Sequence, residues 1–435
     1  MRVIMLSWEY PPKIVGGISR HLYDLAQSLV AHGVEVHVVT CEHPGAAAEA
    51  FEDGVYVYRV SPSGPGDNFI HWVHLLNDAM YNRASPLIET INAKSVRLSG
   101  PAEPVIIHAH DWLAQFAATR LKHAHKLPMV ATIHATEFGR NNGINGSTQS
   151  YINSVEWELQ FEAWRVIVCT DFMRRECEHA LRTPWEKMDV IFNGVEADKF
   201  QLPNFTAEER AAFRAKYAAP NEKIIFFVGR MVREKGVQVL IEALPYIRFA
   251  YHDAKLLIVG GGQKQHLINQ AAWLGMESHI YFAGFVPDED LLKIYQIIDV
   301  ACFPSLYEPF GIVALEAMAA HVPVVVSDAG GLPEVVENRV TGLTTFAGNA
   351  GSLTDAILEV LRHEDFAKQM ASRAFERVQT TFNWSLIAGQ TIAVYKRVWD
   401  EFLASDWGKP FASVDIPVLP SPAPAAANKN ETATS

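Results

Sequence analysis

The chain has 435 residues, of which 49% are hydrophobic, and this length favours two domains of about 200 residues over a single core. A formal net charge of −12 argues against nucleic acid as the main partner and disfavours tight electrostatic binding to anionic lipid. Four cysteines without zinc-like pairing, an N-terminal apolar run too short for a signal peptide, and no apolar run of the ~18 residues that span a membrane predict a cytoplasmic protein without a transmembrane segment.

Short apolar runs alternate with amphipathic helical stretches along the whole chain. Several runs are near-continuous Val, Ile, Leu and Phe, as in strands that are buried on both faces. Helical stretches such as 18–32 and 236–249 lie between them, which predicts βαβ units, parallel sheets and an α/β fold. The predicted strands span residues 3–7, 35–40, 55–60, 105–110, 129–134, 166–170, 189–192, 224–228, 256–259, 280–283, 300–303 and 322–327.

The strand and helix pattern restarts near residue 223, after a polar stretch that contains Pro203. We interpret that stretch as the connection between two domains, which we place at residues 1–200 and 201–385. Residues 384–403 have apolar side chains at helical spacing. The Pro- and Ala-rich tail, residues 408–435, is predicted to be disordered.

Candidate binding residues of the first half follow strands at their carboxyl ends, where open α/β sheets bind ligands. Gly16 and Gly17 precede a helix and allow backbone N–H groups to approach an anion, although an ordinary strand-to-helix loop is an equal alternative. The spacing is not the Gly-x-Gly-x-x-Gly of dinucleotide cofactor sites. His110 and His134 each end a predicted strand, where a structural hydrogen bond is the commoner role. Because no third ligand has suitable spacing, we predict no metal site.

The second half offers two cations at a strand-to-helix loop. Arg230 ends a strand and Lys235 precedes the next helix, so both can converge on one pyrophosphate, with a solvated charged loop as the alternative. Three glycines, 260–262, follow another strand and permit the close approach of a ligand. We interpret the acidic run 288–290 as the cap of a helix that starts near Leu291, and not as a metal-binding motif.

Two glutamates, Glu308 and Glu316, flank the run from Pro309 to Leu315. Pro309 disfavours helix at the preceding residue, so Glu308 is expected on a loop. Gly311 and the apolar residues after it predict the first turn of a buried helix that contains Glu316. A helix N-terminus suits a phosphate, and the two carboxylates are placed to bind hydroxyls on either side of it. That layout fits a nucleotide-sugar, which has a sugar, a pyrophosphate and a ribose.

These pieces together resemble the retaining glycosyltransferases of the GT-B fold, and family 4 in particular. The resemblance covers residues 1–405 and rests on Gly16-Gly17, His110, Arg230 with Lys235, the Glu308/Glu316 pair and the segment Asn193-Gly194-Val195. It implies two Rossmann-like, doubly wound parallel-sheet domains facing across a cleft. Residues 1–200 are then the acceptor side, residues 201–385 bind the nucleotide-sugar, and a last helix, 386–407, crosses back to the first domain.

The resemblance also implies a role for each matching residue. Glu316 would bind the ribose hydroxyls, Glu308 the donor-sugar hydroxyls, and His110 the donor sugar near the reacting centre. Arg230 and Lys235 would hold the diphosphate as it leaves. The remaining contacts would come from the backbone, at Gly16, Gly17, Phe310, Gly311 and Ile312 for the phosphates and near Val286 for the base. Transfer would proceed with retention, without a metal and without a cofactor.

Two segments, 108–112 and 132–140, resemble those of glycogen and starch synthases. They favour UDP- or ADP-glucose as donor and glycogen or another α-glucan as acceptor. The synthases carry Lys-x-Gly-Gly, whereas Lys13 here is one residue further from the glycines. Two alternatives stay open: a family 4 transferase acting on a sugar phosphate, a lipid or a cell-surface polysaccharide, and a GT-B nucleotide-sugar epimerase or non-catalytic sugar-binding relative.

Overall fold

The computed structural model describes residues 1–97, 103–202 and 204–409. From residue 410 onward, the tail predicted to be disordered lies outside the described residues. Among the helices of the described ranges, none combines the length and the apolar character needed to cross a bilayer.

The first half of the chain forms one eight-stranded sheet with helices on both faces. Its strands are β1 (Arg2–Ser7), β2 (Glu35–Cys41), β3 (Glu49–Glu52), β4 (Val55–Val60), β5 (Val105–His110), β6 (Met129–Ile133), β7 (Arg165–Val168) and β8 (Met188–Val190). Its helices are α1 (Gly17–Ala31), α2 (Phe69–Arg97), α3 (Gln115–His125), α4 (Glu137–Arg140), α5 (Ser147–Glu162) and α6 (Asp171–Leu181). The strand order is β3-β4-β2-β1-β5-β6-β7-β8, and every pair is parallel except β3 with β4.

The second half forms a six-stranded sheet in which all neighbouring strands are parallel. Its helices are α7 (Ala207–Arg214), α8 (Val237–Ala250), α9 (Gln265–Trp273), α10 (Asp288–Tyr295), α11 (Ile312–Ala319), α12 (Leu332–Val335), α13 (Ala350–Arg362), α14 (Glu364–Thr381) and α15 (Trp384–Ala404). Its strands are β9 (Lys223–Val228), β10 (Ala254–Val259), β11 (Ile280–Gly284), β12 (Val300–Phe303), β13 (Val324–Ser327) and β14 (Leu343–Thr345). The strand order is β11-β10-β9-β12-β13-β14. The predicted α/β class with two parallel-sheet domains is therefore confirmed.

The structure adds local detail to the predicted elements. β3 and β14 were not predicted, and β3 makes the first sheet mixed at its edge. The stretch interpreted as a connection contains a one-turn 3-10 helix at Ala197–Phe200 and also α7. The helix expected near Leu291 begins three residues earlier, at Asp288, so the acidic run forms its first turn.

Hydrophobic burial explains why the central strands read as continuous apolar runs. In β1 the residues from Val3 to Leu6 have no exposed surface, because helices cover both faces of the sheet. Parallel register places the carboxyl ends of β1 and β5 side by side, with Leu6 opposite Ala109. The loops that follow these strands therefore meet at one edge, which faces the corresponding edge of the second domain.

The last helix returns to the first domain. α15 lies along α1, and its buried residues, including Tyr395 and Phe402, pack with Met5 and Leu22. The Tyr395 hydroxyl lies 2.7 Å from Nδ1 of His108 inside the first sheet domain. This helix fixes the position of α1, which carries several residues of the cleft.

Candidate active site between the two domains

The start of α11 brings the two sequence-predicted glutamates to one place. Glu308 lies on the loop before the helix and Glu316 lies inside it; both are buried, with 7% and 4% of their surface exposed. Gly311 precedes the helix at φ +105°, and a Cβ there would lie 2.6 Å from Cδ2 of Leu332. Only glycine fits this turn without strain. The predicted layout of two carboxylates flanking a helix N-terminus is present in the structure.

Glu308 is held through one of its two carboxylate oxygens. Lys235 Nζ donates to Oε2 at 2.7 Å, and Ser305 Oγ donates to the same atom at 3.1 Å. Within the described ranges, Oε1 makes no hydrogen bond, so it is available to a ligand hydroxyl. Gly236 follows Lys235 at φ +73°, and a Cβ there would lie 1.8 Å from the Pro304 carbonyl oxygen. The two loops are therefore packed directly on each other, which fixes the lysine beside the carboxylate.

Arg230 stands further out on the same edge. Its side chain is half exposed and lies 3.7 Å from Glu234 Oε1. Its charge acts on Glu9 of the first domain, where it opposes the burial that raises the pKa of the Glu9 carboxyl. The guanidinium of Arg230 is thus only weakly engaged, and its contact with a diphosphate stays a prediction.

The N–H group of Gly16, expected to approach an anion, already has a hydrogen-bond partner in the structure. Both Val15 N–H and Gly16 N–H donate to Oε2 of Glu9, at 2.6 and 2.9 Å. A phosphate contact at Gly16 therefore requires Glu9 to give up this bond, and the contact stays a prediction. Gly17 faces the second domain, since a Cβ on it would lie 3.2 Å from Cδ1 of Ile312. The N-termini of α1 and α11 thus point towards each other across the cleft.

Lys13 lies away from those helix ends. Its Nζ donates to Cys41 Sγ at 3.2 Å and lies 5.9 and 5.6 Å from the ring centres of Trp8 and Trp72. The Lys13 ammonium therefore lies in an aromatic pocket.

Three histidines gather at the first domain's edge of the cleft. His110 Nδ1 lies 3.2 Å from His134 Nε2, while His21 Nδ1 lies 2.8 Å from Asn193 Oδ1. Burial lowers the pKa of all three rings, to about 3 for His134, so each is neutral at physiological pH. Nε2 of His21 and Nε2 of His110 are buried without a hydrogen-bond partner.

The cluster is also the group among the described residues whose geometry suits a metal ion. One ring nitrogen from each of His21, His110 and His134 lies within 4.8 Å of the others. Neutral imidazoles are ligands for zinc and related cations. Sequence spacing showed only two of these ligands, because His21 belongs to α1. The reason for expecting no metal therefore does not hold, and metal independence stays a prediction.

A buried acidic group lies beside the histidines. Asp111 adopts φ +58° and its Oδ1 accepts the His134 N–H at 2.7 Å. Burial raises the pKa of Asp111 to about 6, while Arg140, 3.8 Å away, opposes the shift. Glu156 of α5 is buried nearby, and desolvation raises its pKa to about 8. The charge of Arg140 opposes both shifts.

Glu316 is occupied on both oxygens. Arg20 of α1 donates to Oε1, and the buried Tyr295 hydroxyl donates to Oε2 at 2.9 Å. The second guanidinium nitrogen of Arg20 lies 2.9 Å from Asp288 Oδ1. A cavity of about 710 Å³ adjoins this group and is lined by Arg20, His21, Asp288, Tyr295 and Glu316 among others.

Three sequence-predicted residues remain, Phe310, Ile312 and Val286, and their contacts with a ligand stay predictions. Phe310 is buried, and its ring lies 6.1 Å from that of Phe192. Ile312 lines the cavity. Val286 is partly buried, two residues before Asp288.

The two domains touch on the other side of the site as well. Thr170 Oγ1 donates to the Pro309 carbonyl at 2.9 Å, and the Asp171 and Phe172 N–H groups donate to Glu334 at 2.8 Å. The carboxylate of one domain thus caps α6 of the other. These contacts place the Glu308 loop directly opposite the strand ends of the first domain.

Sequence reasoning missed Glu9, Arg20, His21 and Ser305. Arg20 and His21 lie within an amphipathic helix, and their partners Glu316 and Asn193 are 296 and 172 residues away. Glu9 had one usable signal, a carboxylate directly after a buried strand. Glu308 and Gly311 were found because they lie three residues apart on one loop, and Lys235 was found because it lies five residues after Arg230 on another strand-to-helix loop.

Comparisons with known proteins give the family and the fold. The sequence model of Glycosyltransferase Family 4 matches residues 15–199, and that of Glycosyl transferases group 1 matches residues 209–377. An uncharacterized glycosyltransferase of Methanocaldococcus jannaschii is 37% identical over 399 residues, covering 91% of this chain and 98% of that protein. A glycogen synthase of Mycobacterium tuberculosis is 33% identical over 409 residues, covering 91% and 94%. Among solved structures, sucrose-phosphate synthase of Thermosynechococcus elongatus superposes with a TM-score of 0.73 at 23% identity, covering 92% and 99%.

Proposed function

The chain belongs to the GT-B glycosyltransferases, with glycogen synthase among its relatives, and from that premise we propose a specific reaction. The protein transfers a glucosyl group from UDP- or ADP-glucose to an α-glucan such as glycogen, with retention of configuration, in the cytoplasm. The observation that carries this proposal is the Lys235–Glu308 pair at the N-terminus of α11, opposite the histidine cluster.

The donor is proposed to lie along the edge of the second domain. Glu316 binds the ribose, Arg230 and Lys235 bind the diphosphate, and the free Oε1 of Glu308 accepts a hydroxyl of the glucose. The backbone near Val286 contacts the base. His110 completes the sugar site from the first domain, where its unpartnered Nε2 can bond the donor sugar.

The chemistry follows from where charge develops. The bond between the anomeric carbon and the phosphate oxygen breaks, and negative charge grows on the departing diphosphate. Arg230, Lys235 and the N–H groups at Gly311 and Ile312 stabilise that charge, so no divalent metal is needed. The departing phosphate accepts the proton of the acceptor hydroxyl, whose oxygen bonds to the same face of the sugar. Glu308 is held by Lys235 as a positioning group and is not the acid or base of a glycosidase.

The acceptor is proposed to enter from the first domain. An α-glucan is supported by the similarity to the glycogen synthase and by segments 108–112 and 132–140. A sugar phosphate is the second candidate, because Arg140 offers a partly exposed cation beside Asp111. A phosphate group would pair with that guanidinium more strongly than a neutral glucan hydroxyl would.

One panel of assays tests the reaction. UDP-, ADP- and GDP-sugars are each incubated with glycogen, maltooligosaccharide or glucose 1-phosphate, and nucleotide release and product are measured. Nucleotide release from UDP- or ADP-glucose that depends on glycogen is expected. Dependence on glucose 1-phosphate alone would establish the second candidate. An altered sugar released from donor alone would identify an epimerase and reject the proposal.

A further inference from the structure

Arg20 forms an ion pair that joins the two domains across the cleft. It lies on α1, one turn beyond Gly17, and its guanidinium binds Glu316 and Asp288 of the second domain. The Glu316 charge is the largest cause of a raised pKa at Arg20, so the guanidinium stays charged. The side chain of Arg20 is 32% exposed and that of Glu316 only 5%.

With Arg20 in this position, Glu316 has no oxygen free of a hydrogen bond. Tyr295 holds Oε2, and its buried ring fixes the hydroxyl there. A carboxylate that binds the two hydroxyls of a ribose must accept at least one of their O–H groups in a direction that is open. Both side chains line the cavity, but the Arg20 side is the one that can open, because Arg20 is 32% exposed whereas Tyr295 is 1% exposed and packed in the core.

Arg20 also has a second partner to move to. Asp288 Oδ1 lies 2.9 Å from its other terminal nitrogen, and the Asp288 side chain is 65% exposed. Asp288 is the first residue of the acidic run 288–290. It is the member of that run that contacts Arg20. Glu289 instead pairs with Lys293 at 2.7 Å on the same helix.

We propose that Arg20 is a positioning residue that competes with the nucleotide ribose for Glu316 and transfers to Asp288 when nucleotide binds. The proposal rests on the proposed role of Glu316 in ribose binding. In the empty cleft, Arg20 neutralises the buried carboxylate and joins the domains. In the occupied cleft, the 2′- and 3′-hydroxyls take its place at Oε1, while the carboxylate of Asp288 retains the guanidinium. Ligands without those hydroxyls leave the Arg20–Glu316 pair intact.

The test measures nucleotide affinity by calorimetry, with UDP and ADP and with their 2′,3′-dideoxy analogues. Arg20→Gln removes the competitor, so UDP or ADP is expected to bind about fivefold more tightly, the scale of a partly exposed ion pair. The dideoxy analogue is expected to bind this variant and the unaltered protein equally. Asp288→Asn is expected to weaken UDP or ADP about threefold, and to have no effect in the Arg20→Gln background.

Matched controls separate this idea from a general change of charge. Lys199→Gln removes a positive charge from the same cavity, but Lys199 pairs with Asp24 and not with Glu316, so nucleotide affinity should not change. Glu316→Gln tests the ribose role itself: it should abolish the preference for the ribonucleotide over the dideoxy analogue. If it does not, the proposed ribose contact is wrong. If it does, and Arg20→Gln weakens the nucleotide or changes both ligands equally, only the competition by Arg20 is refuted.

Discussion

Replacing Lys235 by alanine should separate the structural from the catalytic role of the Lys235–Glu308 pair. The two charged atoms are 2.7 Å apart, and the side chains are 22% and 9% exposed. Alanine leaves Glu308 with only the Ser305 hydroxyl on Oε2. It also removes one of the two cations proposed to face the departing diphosphate.

The expected magnitudes follow from this burial. Leaving one member of a buried pair without its partner costs about 3–5 kcal/mol, and the partial exposure of Lys235 favours the lower end, about 3 kcal/mol. The loss of one preorganised charge contact to the transition state corresponds to at least about a hundredfold in kcat. Glu308→Gln combined with Lys235→Ala removes the uncompensated carboxylate, so stability should recover in part while activity stays low.

Urea unfolding and initial rates at saturating donor measure the two effects on the same preparations. Lys293→Ala is the matched control, because Lys293 pairs at the same 2.7 Å distance with Glu289, whose side chain is 83% exposed. That variant should keep full activity and lose less than about 1 kcal/mol. A folded Lys235→Ala protein with near-normal kcat would refute the proposed role of the lysine.

Three further predictions follow from the site. Transfer should continue in EDTA after exhaustive dialysis. If activity instead strictly requires a divalent ion, and the His21→Ala variant loses that requirement, the histidine cluster would be assigned to a metal. Gly311→Ala should cost about 1–3 kcal/mol in urea unfolding because of the strained φ and the contact with Leu332, and it should lower donor affinity; an unchanged unfolding midpoint would contradict the turn. Glu156 has a folded-state pKa of about 8 against an ordinary value near 4.5. Between pH 4.5 and pH 8, the folded state therefore keeps a carboxyl proton that the unfolded state has lost. The contribution of Glu156 to folding stability is fully present below pH 4.5 and is lost as pH rises to 8. Glu156→Gln should therefore gain stability relative to the unaltered protein as pH rises through that window, by at most about 1.4 kcal/mol per pH unit. A stability difference that does not depend on pH would refute the pKa shift.

The fold was predictable from the sequence where strands are buried on both faces. Runs such as 105–110 and 300–303 coincide with β5 and β12 because helices cover both faces of the sheet, so most of their residues are apolar. β3 was missed because Glu49–Glu52 is short, half polar and at the sheet edge, where one neighbour suffices. β14 has only three residues and no apolar run of its own.

The site residues could be predicted where they lie close together in the sequence. Glu308, Gly311 and Glu316 lie within nine residues, and their positions follow from a proline, a glycine and helical spacing. Arg20 could not be assigned in the same way, because it acts through a contact with a residue 296 positions away. An arginine on an amphipathic helix usually faces solvent, and only the closing of the two domains brings it to Glu316.

The most direct test of the proposed reaction is the structure of its product. ¹³C-labelled UDP- or ADP-glucose is incubated with maltooligosaccharide in the presence of EDTA, and the new linkage is read by NMR. We predict one released nucleoside diphosphate for each glucose added, and an α-1,4-linked glucose at the non-reducing end. A β-linked product, or nucleotide release that does not depend on the acceptor, would contradict retaining transfer to an α-glucan.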